Sequence, residues 1–460
     1  SGATASRRIA FADVDELSKF GGESKDTFSN TVIGETELDS LVFPIPNQPL
    51  KSISEYQYTF KDISTETASG TGGVATLTPG GNATFNVTGS LSTTQAEENF
   101  LVIVNNNGSD ATLSNGQYLS FSNTDGSSRN ISISGDGRTA TIDLNSSATD
   151  VQLKIIFTAK QVVTQSGTAT DVKTKTIVTG NTTVANTGSI AHQIDEGQFR
   201  IDTPNTSIGA VEELPVSDVF NIVKIVDSGD PTVVVSNSMI SASANNITNS
   251  YTLDSGQLDN FYAHSSIKLK PGFPVPKGRV LVIYDYFAHA GQRGAFTVDS
   301  YNTAIGSTYD GGTRTFTYAD IPDFVSPLNG ETINLANALD FRPLVGESTS
   351  DTPPNVVTDT SAINVTQTRN PDSDTTSLIS YEYYLPRIDK LVLTRDRTFE
   401  VIKGVPDVNP VAPPDDEDSM TLYTLNIPAY TYALSDIETR YVDNKRFTMR
   451  DIGKLEKRIE

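Results

Sequence analysis

The sequence YEYYLPRIDKLVLTRDRTFEVIKG, at positions 381–404, contains two short apolar alternations separated by a polar turn. Leu391 and Leu393 lie two residues apart in the first alternation, and Phe399 and Val401 lie two apart in the second. Side chains two positions apart point to the same face of a β-strand. The stretch therefore predicts a β-hairpin with one apolar face, and it indicates that the C-terminal part of the chain is β structure.

Downstream of an acidic, proline-rich segment, the period of the apolar residues changes from that of a strand to that of a helix. The string MTLYTLNI, at 420–427, alternates again and predicts another strand. Ile452, Leu455 and Ile459 are spaced three and four residues apart, as on one face of a helix, and Thr448 occupies the N-cap position. Because one heptad is not stable alone in water, we expect an amphipathic helix that packs on a partner or continues.

The chain is strongly acidic. Its 460 residues include 34 Lys and Arg against 56 Asp and Glu, a formal net charge of −22. Proteins that bind phosphate backbones use clustered Lys and Arg, and no basic block occurs in this sequence. We therefore expect no nucleic-acid partner, and the charge favours a basic surface on another protein.

The sequence contains no cysteine and no long apolar run. The lack of cysteine excludes disulfide scaffolds, thiol nucleophiles and cysteine-ligated zinc. The beginning of the sequence, SGATASRRIAFADVDELSKF, lacks the apolar core of a signal peptide. The most apolar string, Val280–Ile283, lies within RVLVIYDYF, which we predict to be a central strand. It is too short for a membrane span, so we expect no membrane insertion.

The composition predicts a mainly β, multi-domain chain. Hydrophobic residues make up 36% of the sequence, and the abundant Ser, Thr, Asn and Gly suit strands joined by many turns. Between 61 and 160, turn signals recur about every ten residues, as in an immunoglobulin-like β-sandwich. We predict six regions. The first three are an N-terminal arm and linker at 1–60, an Ig-like β-sandwich at 61–160, which we interpret as an insertion, and a central β domain at 161–345. The last three are a polar linker at 346–380, C-terminal β-hairpins at 381–447 and the start of a helix or coiled coil at 448–460.

Several strings carry a resemblance to a known family. They are YEYYLPRIDKLVL, FEVIKGVP, TLYTLNIPAYTY and YVDNKRFTMRDIGKLEKRIE, together with YTLDSGQLDNFYAHSSIKLKPGF, RVLVIYDYF and IPDFVSPLNGETINLANALDFRP. From about residue 216 to the end, the chain resembles virion structural proteins of contractile-tailed phages, especially phages of marine cyanobacteria. The resemblance implies a tail, baseplate or tail-fibre component whose chain continues past the helix, and it implies no catalytic residue.

Two positions depart from the family pattern. Leu258 follows Gln257 where a basic residue is expected, and Arg397 follows Asp396 where glycine is expected. The second departure has a physical consequence, because an Asp-Gly turn adopts positive φ at little cost. Arg397 therefore predicts a different turn or local backbone strain.

Metal binding has two candidate groups, and each also has a simpler interpretation. His264, His289 and Asp285 flank predicted strands and could bind a metal if the strands bring them together; the alternative is packing or hydrogen-bonding histidines. Oxygen ligands for calcium are available in turns, where solvated turn residues are the alternative; these ligands are Asp125, Asp136, Asp372 and Asp374. We expect no metal, no cofactor and no catalytic residue.

The resemblance implies a structural component of a phage tail or baseplate, located in the virion, that connects or positions tail fibres or wedge subunits through protein–protein interfaces. Its expected partners are other tail and baseplate proteins, with a homotrimer as the expected oligomer by analogy. An alternative function is a glycan-binding adhesin that uses 61–160, and an enzymatic depolymerase is not expected. The segment Leu41–Ile53 is either a docked strand or an ordinary linker. The candidate interface residues are Leu41, Phe43, Ile45, Leu391, Phe399, Ile452, Leu455 and Ile459.

Overall fold

The computed structural model describes residues 41–45, 50–70, 72–121, 129–146, 150–164, 172–184, 192–193, 196–291, 294–344, 369–372, 375, 377–429, 431, 434–443 and 449–459. The fold is mainly β, as predicted. Contacts divide the chain into two compact units, the first containing Ser52–Tyr381 and the second containing Glu382–Glu460. Most of the predicted N-terminal arm at 1–60 and most of the predicted 346–380 linker lie outside the described residues.

The N-terminal part of the first unit contains two antiparallel sheets. Its elements are β1 (Val42–Pro44), β2 (Leu50–Thr67), β3 (Gly72–Leu77), β4 (Thr84–Phe85), β5 (Gly89–Ser90), α1 (Thr93–Asn99), β6 (Phe100–Asn106), β7 (Asn130–Ile133), β8 (Ala140–Ser146) and β9 (Gln152–Thr164). One sheet has β9 beside β2, β4 and β6, and the other has the order β3-β8-β7-β5. Alternate residues of β8 and β9 are buried, because one face of each strand packs inward.

This part of the chain is sandwich-like, in agreement with the β-sandwich prediction; the finer immunoglobulin-like assignment stays a prediction. Strands β2 and β9 pair from Glu55 opposite Thr164 to Thr67 opposite Gln152. The predicted boundaries at 60 and 160 therefore fall inside paired strands. Helix α1 begins with a capping box, in which the Ser92 side chain accepts from the Gln95 backbone and the Gln95 side chain accepts from the Ser92 N–H.

The central part of the first unit is organised around one long strand. Its elements are β10 (Thr174–Val178), β11 (His192–Gln193), β12 (Gln198–Ile201), β13 (Val211–Ser217), β14 (Val219–Asp227), α2 (Asn237–Ser241), β15 (Tyr251–Asp254), β16 (His264–Leu269), β17 (Val280–Ala290), β18 (Thr308–Tyr309), β19 (Arg314–Thr315), β20 (Asp323–Val325), β21 (Thr332–Asn334) and β22 (Ala338–Asp340). Strand β17 pairs with β10, β12 and β14. The prediction that RVLVIYDYF forms a central strand is confirmed.

The core of this part lies between the β17 sheet and a second sheet of order β13-β16-β15. Val282 and Tyr284 of β17 pack in one buried cluster with Leu214 and Val216 of β13 and Ile267 of β16. Residues Val280 to Phe287 are all buried, as in a strand covered on both faces. A 3-10 turn over Leu335–Asn337 is followed directly by β22.

The second unit is built on a four-stranded antiparallel sheet of order β25-β24-β26-β27. After β23 (Leu378–Tyr383), whose residues up to Tyr381 belong to the first unit, come β24 (Arg387–Thr394), β25 (Phe399–Ile402), β26 (Ser419–Ile427), β27 (Glu438–Tyr441) and α3 (Met449–Ile459). The predicted hairpin and the predicted C-terminal helix are both present. None of the helices in the described part of the chain is long and apolar enough to cross a membrane.

Candidate protein–protein interface

The hairpin of the second unit closes through a turn that requires positive φ. The Arg397 N–H donates to the Thr394 carbonyl at 3.0 Å, and the Thr394 N–H donates to the Thr398 carbonyl at 2.9 Å. Arg397 adopts φ 61°, the left-handed conformation that glycine adopts at low cost. Of the two predicted alternatives, a different turn or local backbone strain, the structure shows the second. The turn has the positive φ that glycine would adopt at this position, and Arg397 adopts it at a cost.

One row of apolar side chains crosses all four strands of this sheet. Leu391 of β24 lies opposite Val401 of β25 and opposite Tyr423 of β26, and Tyr423 lies opposite Tyr441 of β27. Directly opposed residues place their side chains on the same face. The rings of Tyr423 and Tyr441 meet edge to face with centroids 5.5 Å apart. The register thus builds a continuous apolar stripe.

A second row lies beside the first. Leu393 is opposite Phe399 on one side and opposite Met420 on the other, and a β-bulge after Leu391 brings Met420 into place. We call the two rows together the apolar face; it consists of Leu391, Leu393, Phe399, Val401, Met420, Tyr423 and Tyr441. Phe399 is 68% exposed, Tyr441 63% and Val401 47%. The apolar face is therefore open to solvent in the single chain.

The interior of this unit is small. Among the described residues from Glu382 to Ile459, Val392 is the one apolar side chain that is buried. Stable domains pack two layers of secondary structure around a core, and a unit of this size needs many buried apolar side chains to offset its chain entropy. Large contiguous apolar patches mark interaction surfaces. The apolar face is accordingly the candidate interface.

Helix α3 presents the predicted apolar seam to solvent. Ile452 is 49% exposed, Leu455 43% and Ile459 84%. Lys457 and Arg458 occupy the last turn, where positive charge interacts favourably with the helix dipole. The seam thus exists as predicted, while the predicted N-cap Thr448 lies outside the described residues. Contact of this seam with another chain stays a prediction.

The N-terminal interface candidates pack within the first unit. Strand β1 pairs antiparallel with β22, with Phe43 opposite Leu339. The Phe43 ring meets Phe341 edge to face at 5.9 Å between centroids, Ile45 is buried and Leu41 is half-buried. The described residues Val42–Pro44 of this segment therefore form a docked strand within the first unit. Whether these residues also contact another chain stays a prediction.

The candidate metal ligands are engaged in other interactions. His289 Nε2 lies 2.7 Å from Asp218 Oδ2, while Asp285 accepts hydrogen bonds from the Gly180 N–H at 2.7 Å and from Asn221 Nδ2 at 2.7 Å. Asp372 pairs with Lys61 at 3.0 Å. Asp136 accepts from Ser134 and Arg138 within its turn, and Asp125 and Asp374 lie outside the described residues. In the described part of the chain, no three His, Asp or Glu side chains are placed to hold a metal ion.

Sequence reasoning missed a group of charged side chains inside the first unit. This buried charge cluster consists of Lys173, Lys175, Asp218, Tyr262, His289, Asp340 and Arg342. Arg342 Nη2 donates to Asp340 Oδ2 at 2.8 Å and to the Tyr262 hydroxyl at 2.9 Å. Lys175 Nζ donates to Asp218 Oδ2 at 2.7 Å. The one signal in the sequence is the spacing of Lys173 and Lys175, two residues apart at the start of β10.

Burial changes the ionisation of this cluster. Removal from water lowers the pKa of His289 to about 4, although the Asp218 carboxylate opposes the shift. Burial likewise lowers the pKa of Lys173 to about 8. Lys173 Nζ has no hydrogen-bond partner and lies 4.8 Å from the centre of the Phe296 ring. The other charged members of the cluster thus have hydrogen-bonding partners, whereas Lys173 carries a desolvation cost.

A half-open cleft of about 350 Å³ lies in the central part of the first unit. Phe220, Ile222, Tyr251 and Ile267 contribute to its wall, and Lys270 lies at its edge. Lys270 Nζ donates to the Asn249 carbonyl at 3.0 Å, so its charge is already engaged. The cleft is outside 61–160, the region that the adhesin alternative would use.

Comparison with known proteins gives one match. The family described as "Domain of unknown function (DUF4815)" matches residues 349–460. This range includes the four-stranded sheet with its apolar face and helix α3. No curated protein matches the chain, and no solved structure matches it.

Proposed function

We propose that this protein is a structural component of a phage tail or baseplate. It connects or positions tail fibres or wedge subunits through the surfaces that it buries against its neighbours, and it makes or breaks no bond in a substrate. Its place is the virion. The family resemblance described above supplies the phage assignment, and the apolar face supplies the physical reason for an assembly role.

The observation that carries the proposal is that the second unit exposes many apolar side chains and buries few. Seven apolar side chains form the apolar face, while Val392 alone is buried among the described residues from Glu382 to Ile459. Burial of apolar surface contributes roughly 25 cal/mol per Å², and aromatic anchors dominate interface energies. Covering Phe399, Tyr423 and Tyr441 with a neighbouring chain therefore supplies the second layer that this sheet lacks.

The partners are other tail or baseplate proteins, together with further copies of this chain, for which a trimer is the expected stoichiometry by analogy with fibrous phage parts. The net charge of −22 favours neighbours with basic surfaces around the apolar contact. An apolar centre with a polar rim is the usual composition of such an interface.

The test is to locate the chain in intact particles. Purified virions are analysed by mass spectrometry for peptides of this protein, and a low-resolution electron microscopy map is recorded with the chain labelled. The proposal expects the peptides in the particle and the label at the tail or baseplate. A chain found outside particles as a monomer contradicts the proposal, and binding of the whole chain to host glycans would favour the adhesin alternative.

A further inference from the structure

The buried charge cluster contains an amine and a carboxylate in contact. Lys175 Nζ lies 2.7 Å from Asp218 Oδ2, and the two side chains are 0% and 1% exposed. Lys175 is on β10, and Asp218 is the single residue between β13 and β14. The pair therefore joins two segments that are 43 residues apart in the sequence. An amine held against a carboxyl group is the reactant pair for an amide bond.

Four aromatic rings surround the amine. Lys175 Nζ lies 4.5 Å from the centre of the Tyr262 ring, 4.9 Å from Phe296, 5.3 Å from Tyr301 and 5.5 Å from Phe287. These rings keep bulk water away from the pair. Desolvation opposes the charged form of each group. It lowers the pKa of Lys175, whereas for Asp218 the neighbouring Lys175 and His289 outweigh it and hold the pKa below its usual range. Exclusion of water favours a condensation that releases water over its reversal.

The carboxyl group of Asp218 is fixed by two further donors. Gln257 Nε2 donates to Oδ1 at 2.7 Å, and His289 Nε2 lies 2.7 Å from Oδ2. Asp218 has φ 58°. A non-glycine residue adopts this backbone conformation at a cost in free energy, so the surrounding structure must hold Asp218 in place. Gln257 is thus placed to stabilise negative charge on Oδ1, and His289 is placed at the oxygen that would leave.

A second carboxylate can hold a proton during the reaction. The Tyr262 hydroxyl is 3.0 Å from Lys175 Nζ and donates to Asp340 Oδ2. This hydroxyl links the amine to Asp340, which is itself paired with Arg342. A nucleophile, an oxyanion donor and a base are thereby arranged around one carbonyl carbon.

We infer that Lys175 and Asp218 form an intramolecular isopeptide bond. The Lys175 ammonium passes one proton to Asp218 Oδ2 along the existing hydrogen bond, and the neutral amine attacks Cγ, so that the Nζ–Cγ bond forms. A second proton of the nitrogen is held by the Tyr262–Asp340 pair, which Nζ contacts, and returns through the nitrogen to Oδ2. The Cγ–Oδ2 bond breaks and Oδ2 leaves as water, with no change of oxidation state and no other reactant.

The test is the intact mass of the full chain under denaturing conditions, combined with peptide mapping. The wild type is expected to be lighter than its sequence by one water, about 18 Da, and to yield a branched peptide that joins Lys175 to Asp218. Lys175→Arg and Asp218→Ala are expected to restore the full sequence mass. Asp218→Asn is expected to release ammonia instead, a loss of about 17 Da from its own sequence mass.

The control is Lys61→Arg, which alters the ion pair with Asp372 at the surface and should retain the loss of water. Wild-type protein with its full sequence mass overturns the inference, whatever the variants do. A loss of water that maps to one linear peptide also overturns it, because a cyclised aspartate side chain loses the same mass. These outcomes do not depend on the proposed assembly role.

Discussion

Leu391 of β24 lies directly opposite Tyr423 of β26, and Tyr423 is 38% exposed. Pairs of this kind normally form one side of a core, with a second layer packed over them. In the second unit, the row that runs from Val401 to Tyr441 instead faces solvent. Covering that face would contribute free energy to association with another chain, and this is the basis of the proposed assembly role.

The turn of the hairpin contains a residue whose replacement should stabilise it. Arg397 has φ 61°, so Arg397→Gly should stabilise the hairpin by about 1 kcal/mol. The measurement is amide hydrogen exchange in β24, which should slow in the variant. Arg395→Gly, in the same turn but without positive φ, should give no such gain, and equal protection in both variants would contradict the explanation.

The stability of the first unit should fall in mild acid. The pKa of His289 is about 4 in the folded state and 6.5 in its ordinary state, so below pH 6.5 the unfolded chain binds a proton that the folded chain excludes. The contribution of neutral His289 to the free energy of unfolding is fully present above pH 6.5. It is lost as pH falls to about 4, and the loss is on the order of 3 kcal/mol.

Urea unfolding between pH 7 and pH 4 measures this loss. His289→Gln keeps a donor for Asp218 but does not titrate, so its stability should depend less on pH over the same range. Identical pH profiles for the wild type and the variant would rule out His289 as the titrating group.

Lys173 should be a destabilising residue at neutral pH. Its buried amine has no hydrogen-bond partner, so Lys173→Met should stabilise the unit by roughly 1–3 kcal/mol. Because the folded pKa is about 8 against 10.5, wild-type stability should rise between pH 8 and pH 10.5, and the variant should lack this rise. Thermal unfolding across this range measures both effects. Lys175→Met, two residues along, should destabilise instead, because it removes the buried partner of Asp218.

Removal of helix α3 should impair assembly without unfolding the sheets. A chain that ends at Asn444 lacks Ile452, Leu455 and Ile459, whose apolar surface is exposed in the single chain. Far-ultraviolet circular dichroism should show unchanged β structure, while light scattering should show a smaller assembly. Leu455→Asp should act in the same direction, and Lys454→Asp, at the neighbouring exposed position, should have a smaller effect. Unchanged assembly after truncation would exclude a docking role for the seam.

Local periodicity was sufficient for much of the fold. The alternation around Leu391 and Phe399 predicted the hairpin, the spacing of Ile452 and Leu455 predicted α3, and the apolar run at Val280 predicted a central strand. Each of these signals lies within one element and follows from side-chain direction in strands and helices.

Long-range pairing could not be read in the same way. His289 and Asp218 are 71 residues apart, and only the folding of β14 onto β17 brings them together. The register that places Met420 opposite Leu393 depends on a bulge, which no period reveals. The docking of the Phe43 segment was anticipated as one of two alternatives, but its partner strand β22 was not.

The most direct test of the assembly role is the mass of the whole chain in solution, measured by light scattering for the wild type and two variants. Tyr423→Glu places a charge in the middle of the apolar face, whereas Val411→Glu places one on an apolar side chain that is 77% exposed in the neighbouring linker. An assembly that persists in Val411→Glu and dissociates in Tyr423→Glu is the predicted result. A wild-type monomer, or equal assembly in both variants, would contradict the claim that the apolar face is covered by another chain.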